Sequence, residues 1–108
     1  MLNINGMGTK RLVSKVLRQS ARGQNCTLRL DGCNYDPSTT VLAHISLKGR
    51  SGMGIKPSDC ESCFACSNCH DVIDGRAKGE YDDNDLLRAH FETLELWRTM
   101  GLVRFKGD

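Results

Sequence analysis

No stretch of this 108-residue chain is long and apolar enough to span a bilayer. Its opening, MLNINGMGTKRLV, has no apolar segment behind a basic start, so no secretory leader is expected. Both absences predict a cytoplasmic protein with no membrane partner, in a compartment where thiols stay reduced. There is no internal repeat of about 20 residues or more, and no low-complexity tract, which excludes a solenoid. The glycine-rich run at 49–54 lacks the G-x4-G-K-[ST] pattern, so a phosphate-cradling nucleotide site is not expected there. The length corresponds to one domain; residues 1–8 are expected to be flexible and 9–108 to fold together. A domain this small has a thin core and commonly adds a metal or disulfides.

What the chain does have is cysteine, six in all. In a reducing compartment, paired cysteines favour metal over disulfide. Cys26-x6-Cys33 and Cys66-x2-Cys69 are two short-spaced pairs from separate segments, the usual supply of four soft ligands for a tetrahedral structural Zn²⁺. One such ion can contribute on the order of 10 kcal/mol to folding. Cys60 and Cys63 extend the second pair to C-x2-C-x2-C-x2-C, so a 60/63/66/69 site and an iron–sulfur cluster are rival readings. The last gap of two residues, and the absence of proline after it, count against the cluster. Cys60 and Cys63 also read as small apolar residues on one helical turn.

The periodicity predicts a basic helix over 10–21, N-capped by Thr9, with Leu12, Val13, Val16 and Leu17 at helical spacing. Strands are expected at 26–30 and 40–45, and a mobile loop over 48–58. A helix should begin near Ser67 or Asn68. A second is predicted over 84–100 with Leu87, Phe91, Leu94 and Trp97 as its apolar stripe, and a last short strand at 102–105. His90 falls on that helix with no partner visible in the sequence and reads as structural.

The net charge of +2 conceals an asymmetry. Residues 1–56 carry nine Lys/Arg against two acidic residues, +7; residues 57–108 carry six against eleven, −5. A basic face for a polyanion and an acidic region for cations is the implied arrangement. His44 ends a predicted strand, and His70 follows the cysteine knuckle with Asp74 one helical turn on. An imidazole and a carboxylate four residues apart share a helix face and could hold one cation with positions left open.

The order of a Cys pair, a strand ending in His44-Ile45, a Gly/basic loop and Cys66-x2-Cys69-His70 resembles the zinc-stapled branch of the HNH endonucleases. More closely, ARG-x2-C (21–26), VLAHI (41–45), G-x-G-I-K-P-x-D (52–59) and A-C-S-x-C-H-D-x-I-D (65–74) are similar to the prophage-encoded YbcO-like nucleases. The likeness covers about residues 18–76, with a looser echo in 84–105; the recombination-associated Ref nuclease of phage is a more distant likeness. It implies an α+β fold: a ββα-metal (HNH-like) core with a structural zinc knuckle, flanked by the N-terminal basic helix and the C-terminal helix. The implied activity is metal-dependent hydrolysis of DNA phosphodiester bonds in a bacterial cell, in phage recombination or DNA processing. Structural Zn²⁺ would be joined by a catalytic Mg²⁺, Mn²⁺ or Zn²⁺.

Residue by residue, the resemblance makes His44 the general base, a task suited to a group that titrates near neutral pH. His70 and Asp74 match the ligands of the catalytic metal, and Asp59 falls where the family's middle Asn orients the loop carrying the base. Arg18, Arg22, Lys48, Arg50 and Lys56 would meet backbone phosphates. Many HNH enzymes place Asp immediately before the base, whereas Ala43 stands here. Either Asp71 or Asp74 substitutes as ligand, or His44 itself ligates the metal. The competing reading is a non-catalytic zinc-binding DNA or protein adaptor in which His70 and Asp74 are incidental.

Overall fold

The computed structural model describes residues 11–49 and 57–107. The elements run α1 (Lys15–Ser20), a 3-10 turn (Pro37–Thr39), β1 (Val41–His44), β2 (Ser62–Ala65), α2 (Ser67–Ile73) and α3 (Asp83–Thr99). β1 and β2 pair antiparallel, with Val41 opposite Ala65 and His44 opposite Ser62. α2 starts directly after β2, so strand, strand and helix follow one another in the chain.

The sheet has only two strands, yet both faces are covered. Ala43, Cys63 and Ala65 face a core of Cys26, Leu28, Leu30, Val72, Leu86 and Ala89. Phe64 faces the other way, onto Leu17, Ala21 and Trp97. All four residues of β2 are therefore buried. A strand covered on both faces does not alternate polar and apolar residues. That is why the stretch at 62–65 reads as a cysteine-rich segment and not as a strand, and why Cys60 and Cys63 do not share the helical turn expected of them. Cys63 lies within β2, while Cys60 is exposed in the turn before it.

α1 is shorter than expected. Residues 11–14 are extended and bond to the segment before β2: Arg11 Nε donates to the Pro57 carbonyl (2.8 Å), Leu12 N to Ser58 Oγ (2.8 Å), and Asp59 N to the Leu12 carbonyl (2.9 Å). Ser14, not Thr9, is the N-cap, its Oγ accepting from Leu17 N; Thr9 lies outside the described residues. Of the expected apolar stripe only Leu17 is buried, and Leu12, Val13 and Val16 are exposed.

Residues 26–30 do not form a strand. Thr27 N donates to the Phe64 carbonyl (2.8 Å), but Arg29 at φ 46° turns the chain out of extended conformation. Residues 102–105 likewise form no strand; Leu102 N closes back onto the Trp97 carbonyl (2.9 Å) after Gly101 at φ 76°. α3 opens with a capping box between Asp82 and Asp85. Its buried stripe is Leu86, Ala89, Thr93 and Trp97, so Phe91 is exposed and Leu87 and Leu94 are only half-buried. The helix is turned so that Thr93 Oγ1 can accept from Phe64 N (3.1 Å) and meet Thr27 Oγ1 (3.2 Å), and Arg88 can donate to the carbonyls of Thr27 (2.7 Å) and Leu28 (2.6 Å).

Trp97, fully buried, meets Phe64 edge-on at 6.2 Å between centroids and donates from Nε1 to Ser20 Oγ (2.8 Å). Trp97→Phe keeps most of the packing and is expected to cost about 1 kcal/mol. Trp97→Ala should cost about 3–5 kcal/mol, a large share of a small domain's stability. Urea unfolding followed by circular dichroism measures both; equal small losses would show that this cluster does not carry the fold.

Candidate active site and metal centre

Cys26, Cys33, Cys66 and Cys69 bring their sulfurs within 4.8 Å of one another. The Cys66–Cys33 separation is 3.7 Å, close to the ~3.8 Å between ligands of a tetrahedral ion bound at ~2.3 Å to sulfur. The four thiols could hold a metal ion such as zinc, and they are the expected tetrad. Cys60 and Cys63 stand outside it. Burial pushes the Cys63 thiol up to about 12.

Local turns explain how the sulfurs converge. Cys66 is the N-cap of α2 and accepts from Cys69 N (3.4 Å); Cys26 accepts from Arg29 N (3.5 Å). Arg29 and Tyr35 are non-glycine residues at positive φ, at 46° and 53°, one in each turn that wraps the first pair. Burial works against ionisation at Cys33, raised to about 11, and at Cys69, pushed higher still. At Cys66 burial is outweighed by the amides of Cys69 and Asn34 and the thiols of Cys69 and Cys33, which bring it down to about 7. A thiolate supported by backbone amides is the donor that Zn²⁺ requires. The first loop is also clamped from outside: Glu92 accepts from Arg29 (2.7 Å) and Arg88 (3.1 Å).

The second constellation lies at the end of β1. His44 Nε2 is 2.8 Å from Asp59 Oδ1, and Asp59 is fully buried. The same carboxylate accepts from Ser14 N (2.7 Å), Arg18 Nε (2.8 Å) and Arg18 Nη2 (3.2 Å). Burial would raise the pKa of Asp59, but these donors outweigh it and hold the carboxyl well below the usual range. An ionised carboxylate can only accept, so Nε2 is the donor in this bond, and in a neutral ring Nδ1 is then the acceptor. Across the sheet, His90 Nδ1 lies 2.8 Å from the Ser62 carbonyl and braces the strand opposite His44.

His70 Nε2 on α2 and Asp74 Oδ2 at its C-cap, one turn on, meet at 3.0 Å. Asp74 and His44 line a common cavity of about 50 Å³, closed by Ile45, Ser46, Ile73, Tyr81 and Leu86. The expected base and one expected ligand therefore share a space. Asp71 is turned elsewhere, onto Arg76 (3.0 Å), which also reaches Asp74 (2.8 Å). Among the described residues no second group of three ligand atoms converges. A cation taken by His70 and Asp74 would keep positions open for substrate and water, as a catalytic site needs.

Arg18 and Arg22 border a separate groove that also ends at His44. Lys48 is exposed, with its backbone N on Asp83 Oδ2 (3.1 Å), and Arg50 and Lys56 lie outside the described residues. Tyr81, Arg76 and Arg88 carried no sequence signal that singled them out. Only the four-residue spacing of Arg88 and Glu92 was there to be read.

Two expectations follow. Cys33→Ser should abolish zinc binding and leave a poorly folded chain, whereas Cys60→Ser should retain one metal per chain. Metal analysis with circular dichroism decides, and metal loss in Cys60→Ser would break the tetrad. The depressed Asp59 pKa makes its stabilisation complete above about pH 4, the ordinary carboxylate value, and fading as pH falls toward the folded value. Asp59→Asn should therefore be about 2 kcal/mol less stable than wild type at pH 7, with the gap narrowing below about pH 4. A gap unchanged down to pH 3 would show that the charge is not what is held.

Residues 15–105 match the profile of the family described as "Putative nuclease YbcO". The chain is 41% identical over 92 residues to "Putative nuclease YbcO" of Escherichia coli (strain K12), covering 82% of this chain and 96% of that protein. It is equally similar to the protein of the same name from Enterobacteria phage 82. The solved structure of "a putative bacteriophage protein" from Escherichia coli K-12 superposes with a TM-score of 0.62 at 36% identity, covering 80% of this chain and all of that one. No helix among the described residues is long and apolar enough to cross a membrane. With so much of both chains aligned, this protein belongs to the YbcO nuclease family.

Proposed function

We propose that the protein is a metal-dependent endonuclease of the HNH (ββα-metal) type that hydrolyses DNA phosphodiester bonds. The observation that carries this reading is the cavity shared by His44 and Asp74, with His44 fixed from behind by buried Asp59 and Asp74 paired with His70. The strand–strand–helix order, with the base ending β1 and the ligands on α2, supports the ββα assignment. An adaptor without catalysis has no use for this alignment.

Asp59 is a positioning residue: it holds the Nε2 proton of His44 and leaves Nδ1 to accept one. Nδ1 takes a proton from water as the water oxygen attacks phosphorus. The bond from phosphorus to the 3′ oxygen breaks, and the departing oxygen takes a proton from solvent. A divalent cation (Mg²⁺, Mn²⁺ or Zn²⁺) held by His70 and Asp74 would stabilise the charge on the scissile phosphate and the leaving oxygen. Arg76 engages both carboxylates, and Asp74, not Asp71, replaces the missing strand ligand because it alone meets His70 and lines the cavity with His44. A carboxylate at position 43 would be buried in the cysteine-side core, where Ala43 is fully enclosed.

Arg18 secures Asp59 first and reaches phosphate only with its exposed side; Arg22 and Lys48, and Arg50 and Lys56 beyond the described residues, complete the phosphate contacts. A relative in Enterobacteria phage 82 supports placing this activity in phage DNA processing.

Plasmid nicking with Mg²⁺, Mn²⁺ or Zn²⁺ tests the reading. His44→Ala and His70→Ala are each expected to lower the rate by about 100-fold or more, with both proteins still folded and zinc-loaded. No cleavage in any metal, or cleavage that survives both substitutions unchanged, rejects it.

A further inference from the structure

His44 borders two spaces. One is the small cavity it shares with Asp74; the other is an open groove of about 380 Å³ between α1 and β1, lined by Arg18, Arg22, Thr40, Val41, Leu42 and His44. No acidic side chain among the described residues lines the groove. Asp59, bonded to the Arg18 and His44 that line it, has its charge already met by these two and by Ser14 N. By contrast, a wider hollow of about 620 Å³ at the start of α3 is walled by Glu80, Asp82 and Asp85, where a polyanion would be repelled.

Two groups along the groove are unspent, the Arg22 guanidinium at its surface and the Thr40 hydroxyl just beneath its wall. Arg22 is exposed, and its guanidinium meets no acceptor among the described residues. Its backbone is nevertheless fixed: its N donates to the Gln19 carbonyl (3.2 Å), and it sits between fully buried Ala21 and Gly23 at φ 75°. Thr40 is only 4% exposed, and among the described residues its hydroxyl is the one buried side-chain polar atom without a hydrogen-bond partner. Folded interiors seldom leave such a group unmet, and a hydroxyl hydrogen can turn to an arriving acceptor. A second cation is close by, since Arg18 is half exposed and spends only Nε and Nη2 on Asp59. Guanidinium groups with a hydroxyl make a donor set for the unbridged oxygens of a phosphodiester. Val41 and Leu42 offer an apolar wall suited to the attached sugar.

We propose that this groove seats a second phosphodiester of the DNA strand, on one side of the bond that is cut. The proposal rests on the nuclease reading and adds to it a one-sided requirement. The strand passes His44 with its scissile phosphate toward Asp74 and its neighbouring phosphate on Arg22 and Thr40. Affinity then depends on the charge at that flank far more than at the other.

Short DNA oligonucleotides carrying a single neutral methylphosphonate linkage, moved one position at a time about the cut, test the seat. For wild type, KM is expected to rise about tenfold for one flanking position and much less for its mirror position. Arg22→Ala should show the same rise with all-natural DNA, and no further rise when the sensitive linkage is neutralised. Thr40→Val, which keeps the shape of the residue, should raise KM several-fold with kcat unchanged. Equal sensitivity on both flanks, or losses from Arg22→Ala and the neutral linkage that simply multiply, would overturn the proposal. So would a Thr40→Val protein that gains thermal stability with KM unaltered, since the hydroxyl would then be an orphan and not a ligand group. If nothing is cleaved, the same series is read by equilibrium binding. One-sided loss of affinity that vanishes in Arg22→Ala sustains the seat and rejects catalysis; absence of binding rejects both.

Discussion

Asp59 carries its charge where no water reaches it, and donors from three residues in two separate parts of the chain make that tolerable. Ser14 contributes a backbone amide at the start of α1, Arg18 two guanidinium nitrogens from the middle of that helix, and His44 a ring nitrogen from the end of β1. An isolated buried carboxylate would be too costly to keep ionised. The three donors therefore have to stay where they are, and the N-terminal segment, the basic helix and His44 are fixed together. The extended run at 11–14 exists to deliver Ser14 and Arg18 to this carboxylate, which is why α1 begins late.

The thiol cluster does for the other half of the site what Asp59 does for this one. Cys66 and Cys69 belong to the first turns of the helix that carries His70 and Asp74, and Cys26 and Cys33 belong to the loop that covers it. Arg88 and Glu92 of α3 hold that loop from outside. Between these two anchors lies a sheet of only two strands, which could not orient a histidine by itself. A metal held by the sulfurs would fix the helix, and the carboxylate fixes the strand. The cavity between His44 and Asp74 is the place where these two rigid parts face each other.

Much of this was legible in the sequence, and the rest was hidden for identifiable reasons. Cysteine spacing marked the tetrad, and the i, i+4 pair marked His70 with Asp74, because both are local patterns with a fixed geometry. The end of β1 at His44 followed from a β-branched, apolar run. β2 was not visible because Ser62-Cys63-Phe64-Ala65 is covered on both faces and so lacks alternation. The apparent strand at 26–30 failed because the demands of the sulfurs on Arg29 and its neighbours override a local alternating pattern. The buried face of α3 is not legible in its apolar spacing because Thr93, polar by type, is buried to satisfy Phe64 N and Thr27. The bond of Arg18 to Asp59 spans 41 residues, and no local signal reports a partner so distant. The likeness to the YbcO-like nucleases associated Asp59 with the segment carrying His44 but did not indicate that its partners would include a residue of the basic helix.

The central claim is that buried Asp59 sets the protonation of His44, leaving Nδ1 as the nitrogen that faces chemistry. Nitrogen-15 NMR of the imidazoles at alkaline pH measures this directly. The Nε2-protonated tautomer should dominate in the wild type and give way to a mixture in Asp59→Asn. A His44 found protonated on Nδ1, or a tautomer ratio indifferent to the loss of the carboxylate, would contradict the account.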